Sequence, residues 1–157
     1  MAEWLGTLKL LHVVSASVLF GTRLGGAWYL WRAERGGDPA ATAVVARNVL
    51  LAELLFTTPA AIVQPVTGLA LARVLGIPLG TPWLAASLGL YVAVGLAWLP
   101  LLWMEYRLAV LARDCSATGQ ALPAAFRRLV RAWHALEWPV FAAVLVLFWL
   151  MVFRPGA

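Results

Sequence analysis

Four apolar stretches, each long enough to cross a lipid bilayer, constrain this chain more than anything else in it. A spanning helix needs roughly 20 consecutive, mostly apolar residues. Residues 6–31, 49–74, 82–106 and 134–153 each supply that length. Backbone N–H and C=O groups in lipid must be satisfied within the protein, so segments of this kind are expected to be helices. The expected fold class is therefore all-α: a four-transmembrane-helix bundle, up-down-up-down, forming one integral membrane domain over residues 1–157. Composition points the same way. Hydrophobic residues make up 63% of the chain and charged residues 12%, where a soluble domain has ~45–50% and ~25%. Nine tryptophans suit a chain with two membrane–water interfaces. The first span is too long for the apolar part of a signal peptide, Arg23 interrupts it, and no clean small-residue cleavage pattern follows, so it reads as a retained helix.

The connections differ in length. "RAERGGDPAATAVVAR" is broken by Gly36, Gly37, Asp38 and Pro39. "VLGIPLGTP" is short and makes a tight hairpin between the second and third spans. The third connection is the longest, with a turn at "DCSATGQ". Beyond that turn, Leu122, Phe126, Leu129 and Val130 alternate with Arg127, Arg128 and Arg131. This segment reads either as a basic amphipathic interfacial helix before the last span or as an extension of that span. The lone cysteine, Cys115, falls in this connection, excludes an intramolecular disulfide, and reads as an ordinary free thiol.

The net charge of +5 does not point to nucleic acid, because the arginines border apolar spans instead of coating a polar domain. They are topology signals. Arg32, Arg35, Arg47, Arg107, Arg113, Arg127, Arg128 and Arg131 fall on the side of the first and third connections. Lys9, Arg73 and Arg154 fall on the other side, and Arg23 lies inside a span. Positive charge marks the cytoplasmic side, so the N- and C-termini are expected outside.

Polar residues inside the spans follow helical spacing. His12 and Arg23 are eleven residues apart, close to three whole turns, and so share a face about 16 Å apart along the axis. Ser15 lies near the same stripe. Gly21 and Gly25 form a small-xxx-small pair on the neighbouring face, which suits close approach by another helix. Glu53 and Gln64 repeat the eleven-residue spacing, with Thr57 one turn after Glu53. Pro59 and Pro65 are expected to bend that helix and free backbone carbonyls. Ser87, Tyr91, Trp98 and Glu105 share a face of the third span, and His134, Glu137 and Phe141 a face of the fourth. Up-down connectivity sorts these groups by depth. His12, Gln64 and Ser87 lie in the outer half; Arg23, Glu53, Glu105, His134 and Glu137 lie in the inner half. A charge facing lipid at mid-bilayer costs at least ~2.5 kcal/mol, so these faces turn inward. Arg23 is expected to pair with Glu53 or Glu137. Such an intramembrane polar cluster is either an ion-pair lock on helix register or a proton-relay or cofactor-binding group.

Several chemistries are excluded. No CxxC, HExxH, GxGxxG or P-loop pattern occurs, and no nucleophile–base arrangement of hydrolases is recognisable. His12 and His134 sit near opposite faces of the membrane and cannot together ligate one haem. Met104 is the only methionine well inside the inner half, which gives soft-metal ligation little support.

The stretches "LKLLHVVSASVLFGTRLGG", "TTPAAIVQPVTGLAL" and "RAWHALEWPVFAAVLVLFWLMVFRP" carry a resemblance. Across all four spans the chain resembles the bacterial integral membrane proteins of domain-of-unknown-function family 2269. More distantly it is similar to the four-helix HemJ-type protoporphyrinogen oxidases and CopD-type membrane proteins. Lys9 and His12 match the lysine-alanine-leucine-histidine start of the HemJ-type first helix. Glu137-Trp138-Pro139 and Arg154-Pro155 match its Glu-x-Pro and its closing basic residue before proline. The chain departs from that pattern in lacking a lysine in the third span and the Pro-Arg after the histidine.

The resemblance implies a small bacterial inner-membrane protein that binds b-type haem or porphyrin, with an electron- or proton-transfer role and the character of a membrane oxidoreductase. His12 is the expected axial ligand to haem iron, with Gln64 orienting it or facing it across the ring. The inner group Arg23, Glu53, Glu105, His134 and Glu137 is expected to pass protons or bind an anionic group. The alternative is a non-catalytic membrane protein or small transporter subunit whose polar stripes serve packing or solute passage. The lipid bilayer is the expected partner, and a homo-oligomer is compatible with such a chain.

Overall fold

The computed structural model describes residues 2–156. Five helical segments form four rods: α1 (Ala2–Gly36), α2 (Pro39–Ala52), α3 (Thr58–Val74), α4 (Pro82–Thr118) and α5 (Ala124–Phe153). A π-helical turn, Glu53–Thr57, joins α2 to α3, so these two make one rod with a bulge. All four rods are long and apolar enough to cross a membrane. Among the described residues there is no strand. The start of α1, the end of α5 and the α3–α4 hairpin lie at one end of the bundle, and the α1–α2 and α4–α5 connections at the other, which we call the arginine end.

Prolines set the bulge in the second rod. Pro59 has no N–H for the carbonyl four residues back, and the ladder widens just before it. The Thr58 N–H reaches the Glu53 carbonyl, and the Thr58 hydroxyl donates to that same carbonyl at 2.9 Å. Six residues on, Pro65 leaves the Ala61 carbonyl without its usual partner. The Tyr91 hydroxyl on α4 donates to that oxygen at 2.5 Å. The freed carbonyl expected from Pro65 thus ties the second rod to the third.

At the arginine end the helices run past the expected spans. α1 continues to Gly36, α2 starts at Pro39, α4 continues to Thr118 and α5 starts at Ala124. Only Gly37 and Asp38 separate α1 from α2, with Gly37 at φ 71° and the Asp38 carboxylate accepting from the Ala40 N–H at 2.9 Å as an N-cap. Cys115, expected in a loop, lies instead in the last turns of α4, which closes on Gly119 in the left-handed conformation. The basic segment containing Arg127, Arg128 and Arg131 is continuous with the last span, so it extends α5 and is not a separate interfacial helix. The physical reason is a shared core. Leu30, Ala46, Leu101, Leu108, Ala112, Leu122, Phe126, Val130 and Trp133 form one buried cluster there. The apolar residues that looked like one face of an interfacial helix are the face α5 buries against α4.

At the other end the rods pair off. α3 packs on α1, and α4 on α5. A second, smaller cluster of Ala72, Trp83, Leu84 and Leu150 closes the top. α1 and α5 touch at Phe20, whose ring centroid is 4.7 Å from that of Phe141 and 5.6 Å from that of Phe148. Two glycines let helices come close: Val49 Cγ1 stands 3.3 Å from where a Cβ on Gly26 would be, and His12 Cε1 stands 3.1 Å from the same point on Gly68. The close approach expected at Gly21 and Gly25 is not made, because nothing lies within 4 Å of a Cβ at either.

This asymmetry has a measurable consequence. Phe126→Ala empties a fully buried site in the tight half and is expected to cost about 3–5 kcal/mol. Leu147→Ala removes a side chain facing open space in the other half and is expected to cost a small fraction of that. Thermal unfolding of the two variants in detergent checks this; equal losses would contradict the division into a tight and an open half.

Candidate functional site

The open half contains a cavity of about 470 Å³ between the α1–α3 and α4–α5 pairs. Its walls are mostly apolar, with Ala16, Leu19, Leu88, Val94, Val140 and Val144 among them. Four polar features break that surface. Lys9 and Arg154 stand at the rim, His12 and Gln64 on one wall, Tyr91 on the opposite wall, and Arg23 with Thr57 and Trp98 at the floor.

The wall is a connected chain of hydrogen bonds. His12 Nδ1 is 3.0 Å from Thr67 Oγ1, and His12 Nε2 is 3.2 Å from Gln64 Nε2. Each ring nitrogen of His12 thus has a side-chain partner on α3, the Thr67 hydroxyl at Nδ1 and the Gln64 amide at Nε2. The Thr67 hydroxyl in turn donates to the Val63 carbonyl at 2.8 Å. The Ser15 hydroxyl lies within hydrogen-bond reach of both the Gln64 amide and the His12 carbonyl, the latter at 3.0 Å. The imidazole is thus held at both ring nitrogens, with Nε2 directed at a side chain that lines the cavity. Gly68 supplies the room for the ring, because a Cβ there would crowd Cε1.

The floor is built on Arg23. Its side chain meets three carboxylates from three rods. Nε donates to Glu137 Oε1 at 2.9 Å and Nη2 to Glu137 Oε2, a two-point pairing. Nη1 lies 3.0 Å from Glu53 Oε2 and 3.2 Å from Glu105 Oε1. All four residues are buried. Two tryptophans complete the shell: Trp98 Nε1 donates to Glu53 Oε2 at 2.9 Å, and Trp133 Nε1 to Glu105 Oε1 at 3.1 Å. The Thr57 hydroxyl donates to Glu53 Oε1 at 3.2 Å. The guanidinium carbon sits 5.8 Å from the Trp133 ring centroid, a cation–π contact.

The depth ordering of the polar residues therefore brings two groups together: His12 with Gln64 and Ser15, and Arg23 with Glu53, Glu105 and Glu137. Arg23 bonds to Glu105 as well as to the two carboxylates singled out as its partners. His134, grouped with these charges by depth, bonds to none of them; its ring lies against Trp133, centroid to centroid 4.9 Å. Thr67 and Trp133 are the functional contacts that sequence reading passed over. Thr67 follows Gln64 by three residues and Trp133 precedes Glu137 by four, so both faces were available from spacing alone. Among the described residues no group of three or more His, Cys, Asp or Glu side chains has the arrangement of a metal site.

A family described as "Predicted integral membrane protein (DUF2269)" matches residues 6–155. No curated protein and no solved structure matches the chain.

Arg23 is the only cation in the cluster, and removing one partner of a buried ion pair costs about 3–5 kcal/mol. Arg23→Leu is expected to lose stability on that scale in detergent, and Glu137→Gln in the same chain to restore part of it. If the double variant loses the sum of the two single losses, the residues are not coupled.

Proposed function

The chain belongs to this family of integral membrane proteins, and we propose that it binds a flat tetrapyrrole, b-type haem or porphyrin, in the cavity beside His12 and serves electron or proton transfer. The observation that carries this reading is the placement of His12 on the cavity wall, with its ring held by hydrogen bonds. Metal-bound histidines have their other ring nitrogen held by a hydrogen bond to a neighbouring group, and here Thr67 stands 3.0 Å from Nδ1 while Nε2 faces Gln64 on the cavity wall. The residues present fit such a group. The cavity is within the size range of small-molecule sites, ~300–1,000 Å³, and mostly apolar. Lys9 and Arg154 at its rim suit the two carboxylates at one edge of such a ring. Gln64 must turn aside for His12 Nε2 to reach iron; a metal-free porphyrin makes no such demand. Haem, when bound, supplies one-electron chemistry. The chain's own residues would hold the ring, orient it through His12, and keep water from it with the apolar walls.

A second reading has its own support. Both ring nitrogens of His12 already have protein partners, as in a structural histidine. A non-catalytic protein, or a transporter subunit that admits solute through the same cavity, accounts for that.

The excess of arginine at one end supports an orientation in the bacterial inner membrane with that end in the cytoplasm and both termini outside. Reporter fusions after Ala157 are expected to be active outside the cytoplasm; activity only inside would overturn the orientation.

The ligand is tested with the full-length protein expressed with haem supplied and purified in detergent. A Soret band is expected, His12→Ala is expected to remove most of it, and His134→Ala to keep it. A folded, colourless wild type that takes up no haem when titrated favours the second reading. Bleaching by His134→Ala alone would put the group at the arginine end and overturn the site.

A further inference from the structure

Beneath the cavity, one guanidinium faces three carboxyl groups. With every group ionised the cluster carries a net charge of −2, and an uncompensated charge buried in a membrane is strongly disfavoured. The hydrogen bonds are unevenly shared. Both oxygens of Glu137 accept from Arg23, and both oxygens of Glu53 accept, from Thr57 on one side and from Trp98 and Arg23 on the other. Glu105 differs. Its Oε1 accepts from Trp133 and Arg23, while its Oε2 is buried with no hydrogen-bond partner among the described residues. Glu105 is 2% exposed. An ionised oxygen in that position has lost its water and gained nothing.

A second unpartnered buried atom lies on the arginine-end side. His134 Nε2 has no hydrogen-bond partner among the described residues. His134 precedes Glu137 by three residues on the same face of α5, about 4.5 Å closer to the arginine end along the axis. Glu34, near the end of α1, is within Coulombic range of it and is partly exposed. On the opposite side the cluster borders the cavity, since Arg23, Thr57 and Trp98 line both. By depth, ionisable groups follow one another from the arginine end to the cavity floor: Glu34 on α1, His134 on α5, whose ring lies against Trp133, then Glu137 on α5 and Glu105 on α4 with Arg23 on α1 and Glu53 on the second rod.

We propose that Glu105 is a proton-storage site beneath the cavity, loaded and emptied from the arginine end through His134. On loading, a proton from water at that end is taken up by the neutral His134 imidazole and passed to the Glu105 carboxylate. An O–H bond forms at Glu105, His134 returns to neutral, and the charge of the cluster rises by one. On unloading the same proton leaves by the reverse steps. No electron moves and no other reactant is needed. The proposal concerns the cluster alone and holds whichever ligand the cavity takes.

The test uses the full-length protein in lipid bilayers near neutral pH and infrared spectroscopy of the protonated carboxyl C=O stretch. Wild type is expected to show such a band, shifted when the sample is moved into D₂O. Glu105→Gln is expected to remove it while leaving thermal stability close to wild type, because the neutral amide reproduces the shape of the protonated acid. Glu53→Gln, offered as a control at the same depth, is expected to retain it. On rapid mixing with D₂O, His134→Leu is expected to slow the shift of the band at least tenfold. The absence of the band in wild type, its persistence in Glu105→Gln, or a Glu105→Gln chain too unstable to purify overturns the storage site. Unchanged exchange in His134→Leu overturns the route.

Discussion

An arginine placed inside a bilayer has few tolerable surroundings, and in this protein Arg23 has one of the most demanding. Its three donor nitrogens reach carboxylates on the second, third and fourth rods at once. Each rod is therefore held to α1 at the same depth. A charge left unpaired there costs several kcal/mol, and that penalty falls on any arrangement in which one rod slides or turns away. Lipid offers little hydrophobic drive for helices to associate, since its chains are as apolar as leucine. A polar contact of this kind is then the strongest available constraint on register.

The two halves of the bundle follow from that constraint. On the arginine side of the cluster, Leu108, Ala112, Phe126 and Val130 are buried together, and α2 and α5 each begin about ten residues before the expected spans. On the other side the bulge at Glu53–Thr57 and the prolines at 59 and 65 change the course of the second rod. The rods separate into two pairs, and the cavity is the space between them. Tyr91 spans part of that space by taking the carbonyl that Pro65 leaves free. The His12 wall and the Arg23 floor thus face one ligand-sized volume, although each is built from residues far apart in the chain.

Much of this was legible in the residues. Eleven-residue spacings put His12 over Arg23 and Gln64 over Glu53, and helix reversal then set His12 beside Gln64 and Arg23 beside Glu53 without any knowledge of contacts. The four rods were legible from apolar length. Three features were not. The cavity depends on how far the rods splay, which turns on a π-bulge that spacing rules for a regular α-helix do not contain. The helical period of Leu122, Phe126, Leu129 and Val130 was visible, but the same face serves an interfacial helix or an extension of the last span, and only its burial in the shared core decides between them. The sharing of Arg23 among three carboxylates depends on rotamers, and depth alone left Glu105 as one more charge at the same level.

The cluster is most directly tested by solid-state NMR on the full-length protein in lipid bilayers, with ¹⁵N in arginine side chains and ¹³C at glutamate carboxyls. Arg23 is the only arginine deep inside a span, and Arg23→Lys identifies its signals by their loss. The account predicts dipolar contacts from the Arg23 guanidinium nitrogens to the carboxyl carbons of Glu53, Glu105 and Glu137, each assigned by its disappearance in the matching glutamine variant. Contact with a single carboxyl, or with none, would contradict it.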